Sequence, residues 1–198
     1  MYGWRSSIRI LHSWHFVLLL IVSSALTFSC RSNPATDPIY QVISETTLTA
    51  GAAVPPPQEE VILTIHGKVG IANRENKIEM DRPTIEAVGK IAYTVDDPFE
   101  ERQIRYTGVL MANLLDLWQI DKTATTLHLT ALNDYHTEIA ISELREYPVM
   151  LALEADGQYM QPDYRGPAMI VYPIHHYEFH VSEVRAKWIW QLQTIEVQ

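Results

Sequence analysis

The stretch TTLHLTALNDYHTEIAI, residues 125–141, predicts two strands joined by a turn. In TTLHLTAL, apolar residues alternate with polar ones, which is the period-2 pattern of a strand with one buried face. HTEIAI is the second predicted strand. Asn133 and Asp134 begin the connection between them, and both residue types favour turns because their side chains hydrogen-bond the local backbone. This strand–turn–strand unit indicates a fold that contains β-structure.

The segments on both sides of this unit add more strands. VILTIHGKV, KIAYTV and WIWQLQTIEV read as strands. AMIVYP is almost continuously apolar, which is typical of a strand buried on both faces. VMLALEADGQYM predicts a hairpin around Asp156 and Gly157, a pair that suits tight turns. Most of the chain beyond residue 60 is therefore predicted to be β-structure.

Four short helices are predicted between these strands. DRPTIEAVG, residues 81–89, has Asp81 as a candidate N-cap, Pro83 in the first turn and Gly89 at the end. GVLMANLLDLW, residues 108–118, places leucines and a tryptophan on one helical face. SELREYP, with Ser142 as cap, and HVSEVRAKW each predict one or two turns. We therefore predict an α+β fold that is mainly β and forms a single domain over residues 60–198.

The N-terminus has the layout of a secretory signal. Residues 1–29 begin with Arg5 and Arg9 and no acid, continue with the apolar run FVLLLIV, and end in small residues. The apolar run is too short for a comfortable transmembrane span. Cys30, the only cysteine, follows Ser29 at the position where a bacterial lipoprotein signal places its lipidated residue. We predict an exported, periplasmic lipoprotein; ordinary cleavage nearby and an uncleaved anchor are the alternatives.

Residues 30–59 are predicted to be a lipid-anchored, flexible tether. They are rich in Ser, Thr, Ala and Pro, and the VPPP segment is stiff and extended. IYQVI is the one apolar patch in this stretch, so docking of this patch on the domain is the alternative. With a single cysteine, the domain has no disulfide, and its stability must come from its core.

The charge balance excludes one class of partner. The chain has 15 Lys and Arg against 24 Asp and Glu, a formal charge of -9, and removal of residues 1–29 would take away arginines but no acids. A domain this acidic repels nucleic acid and anionic membrane surfaces. We therefore predict that the domain does not bind nucleic acid. We predict that it contacts a membrane only through the lipid.

Three histidines, His175, His176 and His180, lie close together after Pro173. In a helix, His176 and His180 would be four residues apart on one face, as many zinc sites require. Pro173 and the neighbouring aromatic residues favour a loop instead. We interpret the segment as a loop after a core strand and predict no structural metal site, with a transient, low-affinity site as the alternative.

Other catalytic motifs are missing from the sequence. It has no Gly-x-Ser-x-Gly, no glycine-rich phosphate loop and no Cys/His pair. The carboxylate pairs Asp96-Asp97 and Glu100-Glu101 are interpreted as solvated charges in a polar loop.

The order of six segments resembles a known family. ILTIHGKV, YTGVLMANLLDLWQI, LTALNDYHTEIAI, LALEADGQYM, RGPAMIVYP and AKWIWQLQTIEV follow one another as in the molybdopterin-binding oxidoreductase domain, which has the sulfite-oxidase fold. The resemblance covers residues 60–197. It implies a mixed, mainly β domain with a pocket for the pterin dithiolene and its phosphate.

Two features of the active members of that family are missing here. By the resemblance, active members bind molybdenum through one cysteine thiolate inside this domain and place an arginine in the strand after the Gly-Pro segment. GKIAYTVDDPFEERQIRYTG, where the cysteine is expected, contains none, and Met169 stands at the arginine position. Soft thiolate ligation is then unavailable, and a methionine cannot recognise an anionic substrate.

We therefore predict a catalytically degenerate, exported domain that binds a small anionic or pterin-like ligand and reports to a membrane sensor or redox partner. A molybdopterin-dependent periplasmic oxidoreductase with non-cysteine ligation is the alternative. No cofactor is expected, although the resemblance allows molybdopterin. Arg165 and Lys187 are candidate phosphate or carboxylate binders, unless they are merely solvated or ion-paired. The predicted pocket residues are Asn133, Asp134, Tyr135, Arg165, Lys187 and Trp188, with Trp190 beside Trp188 on one face of the last strand.

Overall fold

The computed structural model describes residues 38–198, together with residues 1 and 3. Cys30 and the rest of the predicted signal lie outside the described residues. Among the described helices, none is long and apolar enough to cross a membrane. The elements are β1 (Gln41–Val42), β2 (Val61–Gly67), β3 (Ile78–Asp81), α1 (Arg82–Glu86), β4 (Lys90–Asp97), β5 (Arg102–Leu110), α2 (Met111–Leu117), β6 (Thr126–Ala131), β7 (His136–Ala140), α3 (Ile141–Glu146), β8 (Met150–Ala155), β9 (Gln158–Tyr159), β10 (Met169–Val171), α4 (Val181–Lys187) and β11 (Leu192–Val197).

Two sheets form the described part of the fold. The first has the order β1-β4-β5-β8-β10, with β9 paired to β8, and the second has the order β3-β2-β11-β6-β7. The β2–β11 pair is parallel, and the other strand pairs are antiparallel. This mixed, mainly β arrangement with four short helices confirms the predicted fold class.

The buried side chains of both sheets join one hydrophobic cluster with residues of α1 and α2. Strand β6 buries every second residue, whereas four consecutive residues of β8, from Met150 to Leu153, are buried. Asp81 caps α1 as predicted, because its carboxylate accepts a hydrogen bond from the Thr84 backbone N–H at 3.0 Å. The periodicity of these segments is thus explained by which faces they bury.

The second predicted helix begins later than the sequence indicated. Residues 108–110 belong to β5, and α2 starts at Met111. The reason is close backbone packing, because a Cβ on Gly108 would lie only 2.0 Å from the backbone oxygen of Leu151 in β8. Strand pairing in the middle of a sheet therefore overrides the helical spacing of the leucines at this point.

The last predicted strand is also shorter than expected. α4 ends at Lys187, with Trp188 as its C-cap. Trp190 lies in the connection, and β11 begins only at Leu192. Gln191 has a positive φ of 55° and donates its backbone N–H to the Arg165 oxygen at 2.8 Å. This turn separates the two tryptophans from β11, so their predicted alternation along one strand is wrong.

The described part of the predicted tether lies against the domain. β1 pairs with β4, and the Ile43 backbone N–H donates to the Lys90 oxygen at 2.8 Å. Further along, Thr47 and Leu48 donate to the Ala87 oxygen. Docking of the IYQVI patch, the alternative that the sequence left open, is therefore what the structure has, and this part of residues 30–59 is not a free linker.

Candidate functional site

A cavity of about 300 Å³ opens where the α4–β11 connection meets the β4–β5 and β6–β7 turns. This volume is at the lower end of the range for small-molecule sites. Most of its wall is aromatic, and the remaining lining side chains are amides and one cation. The lining residues are Phe99, Asn133, Tyr135, Arg185, Trp188, Trp190 and Gln191.

The aromatic rings of the wall pack on one another. Phe99 and Trp190 meet edge to face with ring centroids 4.8 Å apart, and Phe99 lies 6.2 Å from Trp188. The buried Tyr106 contacts Trp188 from behind at 6.3 Å, also edge to face. Such pairs contribute beyond the area that they bury, so the rings form a defined surface.

A buried ion pair lies directly behind this wall. The Nη1 atom of Arg165 is 2.6 Å from Oδ2 of Asp97 and 2.9 Å from the Tyr106 hydroxyl. The Asp97 side chain is fully buried, and that of Arg165 is 6% exposed. Glu100 adds a second acidic partner, 3.2 Å from Nη2. The interpretation of Asp97 as a solvated charge is therefore wrong.

The pair is ionised because its hydrogen bonds outweigh its burial. Burial opposes ionisation of Asp97, yet hydrogen bonds from Arg165, Tyr106 and two backbone N–H groups hold its pKa below the ordinary value. Burial and the neighbouring carboxylate raise the pKa of Tyr106, so this tyrosine stays neutral and donates to Asp97 at 2.8 Å.

This ion pair positions the cavity wall. The Asp97 carboxylate accepts hydrogen bonds from the backbone N–H groups of Phe99 and Glu100, at 2.9 and 2.8 Å. The Arg165 guanidinium lies 4.4 Å from the centre of the Trp190 ring, within cation–π range. One salt bridge thus holds both the turn that carries Phe99 and the connection that carries Trp190.

The structure brings three of the six predicted pocket residues to the cavity, namely Asn133, Tyr135 and Trp188. Asp134 occupies the left-handed turn position between Asn133 and Tyr135, with φ at 63°, and does not line the cavity. Arg165 lies behind the wall in the ion pair and is not among the lining residues. Arg165 therefore packs against the back of the cavity wall and does not line the cavity.

Lys187 is the third predicted residue that lies away from the cavity. Its Nζ atom is 2.6 Å from Oε2 of Glu143, and the Tyr172 hydroxyl donates to the other oxygen of the same carboxylate at 2.7 Å. The lysine lines a separate, glutamate-rich depression on the other side of α4. Its charge is already balanced inside the protein.

Sequence reasoning missed Phe99, Arg185 and Gln191. Arg185 precedes Trp188 by three residues on α4, so helical spacing places both on neighbouring positions of one face. Its guanidinium carbon lies 4.8 Å from the Phe99 ring centre, and within the described part of the chain Arg185 has no ion pair. The i, i+3 spacing is the signal that could have found it.

Two indole N–H groups at the wall lack partners. The Nε1 atoms of Trp188 and Trp190 are buried and make no hydrogen bond within residues 38–198. Buried donors are almost always paired, and each unpaired one carries a desolvation penalty. The site therefore contains two hydrogen-bond donors that the described part of the chain does not use.

The histidine segment lies in a loop, as the sequence indicated. α4 begins only at Val181, so His176 and His180 do not share a helical face. His175 faces Asp96, whose carboxylate lies 3.0 Å from Nε2. Among the described residues, no group of three or more His, Cys, Asp or Glu is arranged to hold a metal ion.

Comparison with known proteins agrees with this fold. A family model described as "Oxidoreductase molybdopterin binding domain" matches residues 57–198. Sulfane dehydrogenase SoxCD from Paracoccus pantotrophus is structurally similar, with a TM-score of 0.52 and 16% sequence identity. The similarity covers 68% of this chain but only 37% of that chain, and at this identity it shows the fold alone. No curated protein matches the sequence.

Proposed function

This chain belongs to the oxidoreductase molybdopterin-binding domain family, and we propose that its domain is a small-ligand binding module without the family's redox chemistry. The observation that carries the proposal is the contrast between an aromatic cavity with a buried ion pair behind its wall and a missing metal ligand.

The residues present do not fit a thiolate-bound molybdenum. The segment that should supply the thiolate forms strands β4 and β5 and the turn between them, and it contains no cysteine. The single cysteine, Cys30, precedes the matched region 57–198. Met169, at the position expected for an arginine, is fully buried in β10 opposite Ala152. No described cluster of other donors replaces the thiolate.

The cavity wall, in contrast, is held in place by a buried ion pair between Asp97 and Arg165. Burying two charges costs desolvation free energy, which their attraction offsets when the geometry is good and further hydrogen bonds are made, as they are here. The ion pair fixes the two segments that carry Phe99 and Trp190. Pre-positioned walls reduce the entropy lost on binding, which favours a ligand-binding role for this cavity.

Export and membrane anchoring remain part of the proposal. In this proposal a lipid on Cys30 holds the domain at a periplasmic membrane surface, and the ligand-bound state is read by a membrane sensor or a redox partner. The sequence features that support it are the signal-like residues 1–29 and the position of Cys30.

Metal and ligand analysis tests the proposal. The full chain, expressed in a host that makes and inserts the cofactor, should purify without stoichiometric molybdenum or pterin fluorescence. A panel of pterins and aromatic acids should contain a compound that raises its melting temperature. Tyr135→Ala at the cavity should reduce that rise, whereas Tyr159→Ala, an equally exposed tyrosine elsewhere, should not.

About one molybdenum per chain would overturn the binding-module proposal. It would support instead the oxidoreductase with non-cysteine ligation, and His136 or a histidine of the 175–180 loop would be the first ligand to test. An unchanged melting temperature with every compound of the panel would also contradict the proposed role.

A further inference from the structure

Three cations in or near the cavity differ in whether an acidic side chain is paired with them. Arg165 is paired with Asp97 at 2.6 Å and with Glu100 at 3.2 Å, and Lys187 is paired with Glu143 at 2.6 Å. Among the residues that line the cavity, Arg185 is the single cation, and the described structure gives it no acidic partner. Within residues 38–198, the cavity thus presents one positive charge without an acidic partner.

Arg185 is oriented for a planar anion. Its guanidinium carbon lies 4.8 Å from the centre of the Phe99 ring, so the ring packs against the side chain, and within residues 38–198 no carboxylate pairs with its N–H groups. A guanidinium edge matches the two oxygens of a carboxylate, which it binds through two parallel hydrogen bonds. A point charge such as a lysine would not provide this match.

The aromatic wall selects a flat partner beside that charge. Tyr135, Trp188 and Trp190 line the same cavity as Phe99, and aromatic surfaces favour stacked or edge-to-face contacts. The indole N–H groups of Trp188 and Trp190 lack acceptors. A ligand oxygen or ring nitrogen that reached either of these donors would remove the cost of an unpaired buried N–H.

We infer that the ligand of this cavity is a planar aromatic monocarboxylate, held by Arg185 and stacked on the tryptophan and phenylalanine rings. This inference rests on the proposed function and narrows its ligand class. A dianion such as a phosphate monoester is disfavoured, because among the described residues the cavity offers one unpaired cation and the chain as a whole carries a formal charge of -9.

Four probes separate the parts of this inference. The full chain is titrated with 2-naphthoate, 2-naphthamide, cyclohexanecarboxylate and 2-naphthyl phosphate, and binding is followed by tryptophan emission and by calorimetry. We expect 2-naphthoate to bind and to change the emission. The uncharged amide should bind about tenfold more weakly or worse, because it loses one charge-assisted contact. The non-aromatic acid should bind more weakly by up to about tenfold, because it loses the aromatic contacts.

Variants test the role of Arg185. Arg185→Gln should weaken 2-naphthoate binding by about tenfold or more, and Arg185→Lys by less, since it keeps the charge but loses the fork. Arg145→Gln is the matched control, because Arg145 is also an exposed arginine on a short helix and is paired with Asp116. Its affinity for 2-naphthoate should equal that of the wild type.

Four outcomes would overturn the inference. Tighter binding of 2-naphthyl phosphate than of 2-naphthoate would assign a dianion site, and equal affinities of Arg185→Gln and the wild type would remove the arginine from recognition. Failure of 2-naphthoate to bind, while a pterin raises the melting temperature, would refute this ligand class and leave the proposed function standing. If neither binds, both the inference and the proposed function are wrong.

Discussion

Removal of the buried arginine behind the cavity is the most direct test of how the site is built. Arg165→Met keeps much of the side-chain length and apolar stem but removes the charge. The Asp97 carboxylate would then remain fully buried, with Tyr106 and two backbone N–H groups as its remaining donors. Breaking a buried pair by removing one partner costs roughly 3–5 kcal/mol, because the other charge stays desolvated.

For a chain of this size, each kcal/mol lowers the melting temperature by about 2–4 °C, so we expect a decrease of roughly 6–20 °C. The variant should also loosen the cavity, because it removes the guanidinium that lies 4.4 Å from the centre of the Trp190 ring. A change in tryptophan emission of the folded variant would report this second effect.

Urea unfolding, followed by circular dichroism and by tryptophan emission, measures both effects. Arg102→Met is the matched control, since Arg102 also pairs with two carboxylates, those of Glu100 and Asp156, but is half exposed. Exposed pairs contribute little, so its unfolding midpoint should stay near that of the wild type. A midpoint for Arg165→Met no lower than that of Arg102→Met would refute the structural role assigned to the buried pair.

Three further predictions follow from the structure and the sequence. The pKa of Asp97 is held below its ordinary value of 3.8, so its ionised form stabilises the native state above that value, and this contribution is lost as pH falls through the native pKa. Below about pH 4, the urea midpoint of the wild type should therefore fall more steeply with decreasing pH than that of Asp97→Asn. Parallel pH profiles of the two proteins would contradict this. Cys30→Ser should move the protein from the membrane fraction to the soluble periplasm, and unchanged fractionation would contradict lipidation. Chelator should leave the melting temperature unchanged, because a tight structural zinc contributes folding free energy directly, and a large decrease would restore the metal interpretation of the histidine loop.

The local sequence determined much of the fold. Alternation in TTLHLTAL, the apolar run AMIVYP and the Asp-Gly hairpin predicted β6, β10 and the β8–β9 pair, and the ordered segments indicated the family that the comparison confirms. These predictions succeed because each depends on residues a few positions apart, which share one face of a strand or one turn. Asn133, Tyr135 and Trp188 were predicted as pocket residues from the resemblance to the family, and they line the cavity in the structure.

Only the tertiary structure decided how charges and close contacts are distributed. Asp97 and Arg165 are 68 positions apart, so the sequence could not show that a carboxylate in a polar run is buried against an arginine after a core segment. Gly108 is a strand residue because the backbone of Leu151 approaches it, although the leucine spacing around it is helical. Among the described residues, Arg185 is the cavity-lining cation without an acidic partner, whereas Arg165 and Lys187 are paired elsewhere, for the same reason. Burial and pairing are set by which distant segments meet, and the chain encodes them only through the packing of the whole domain.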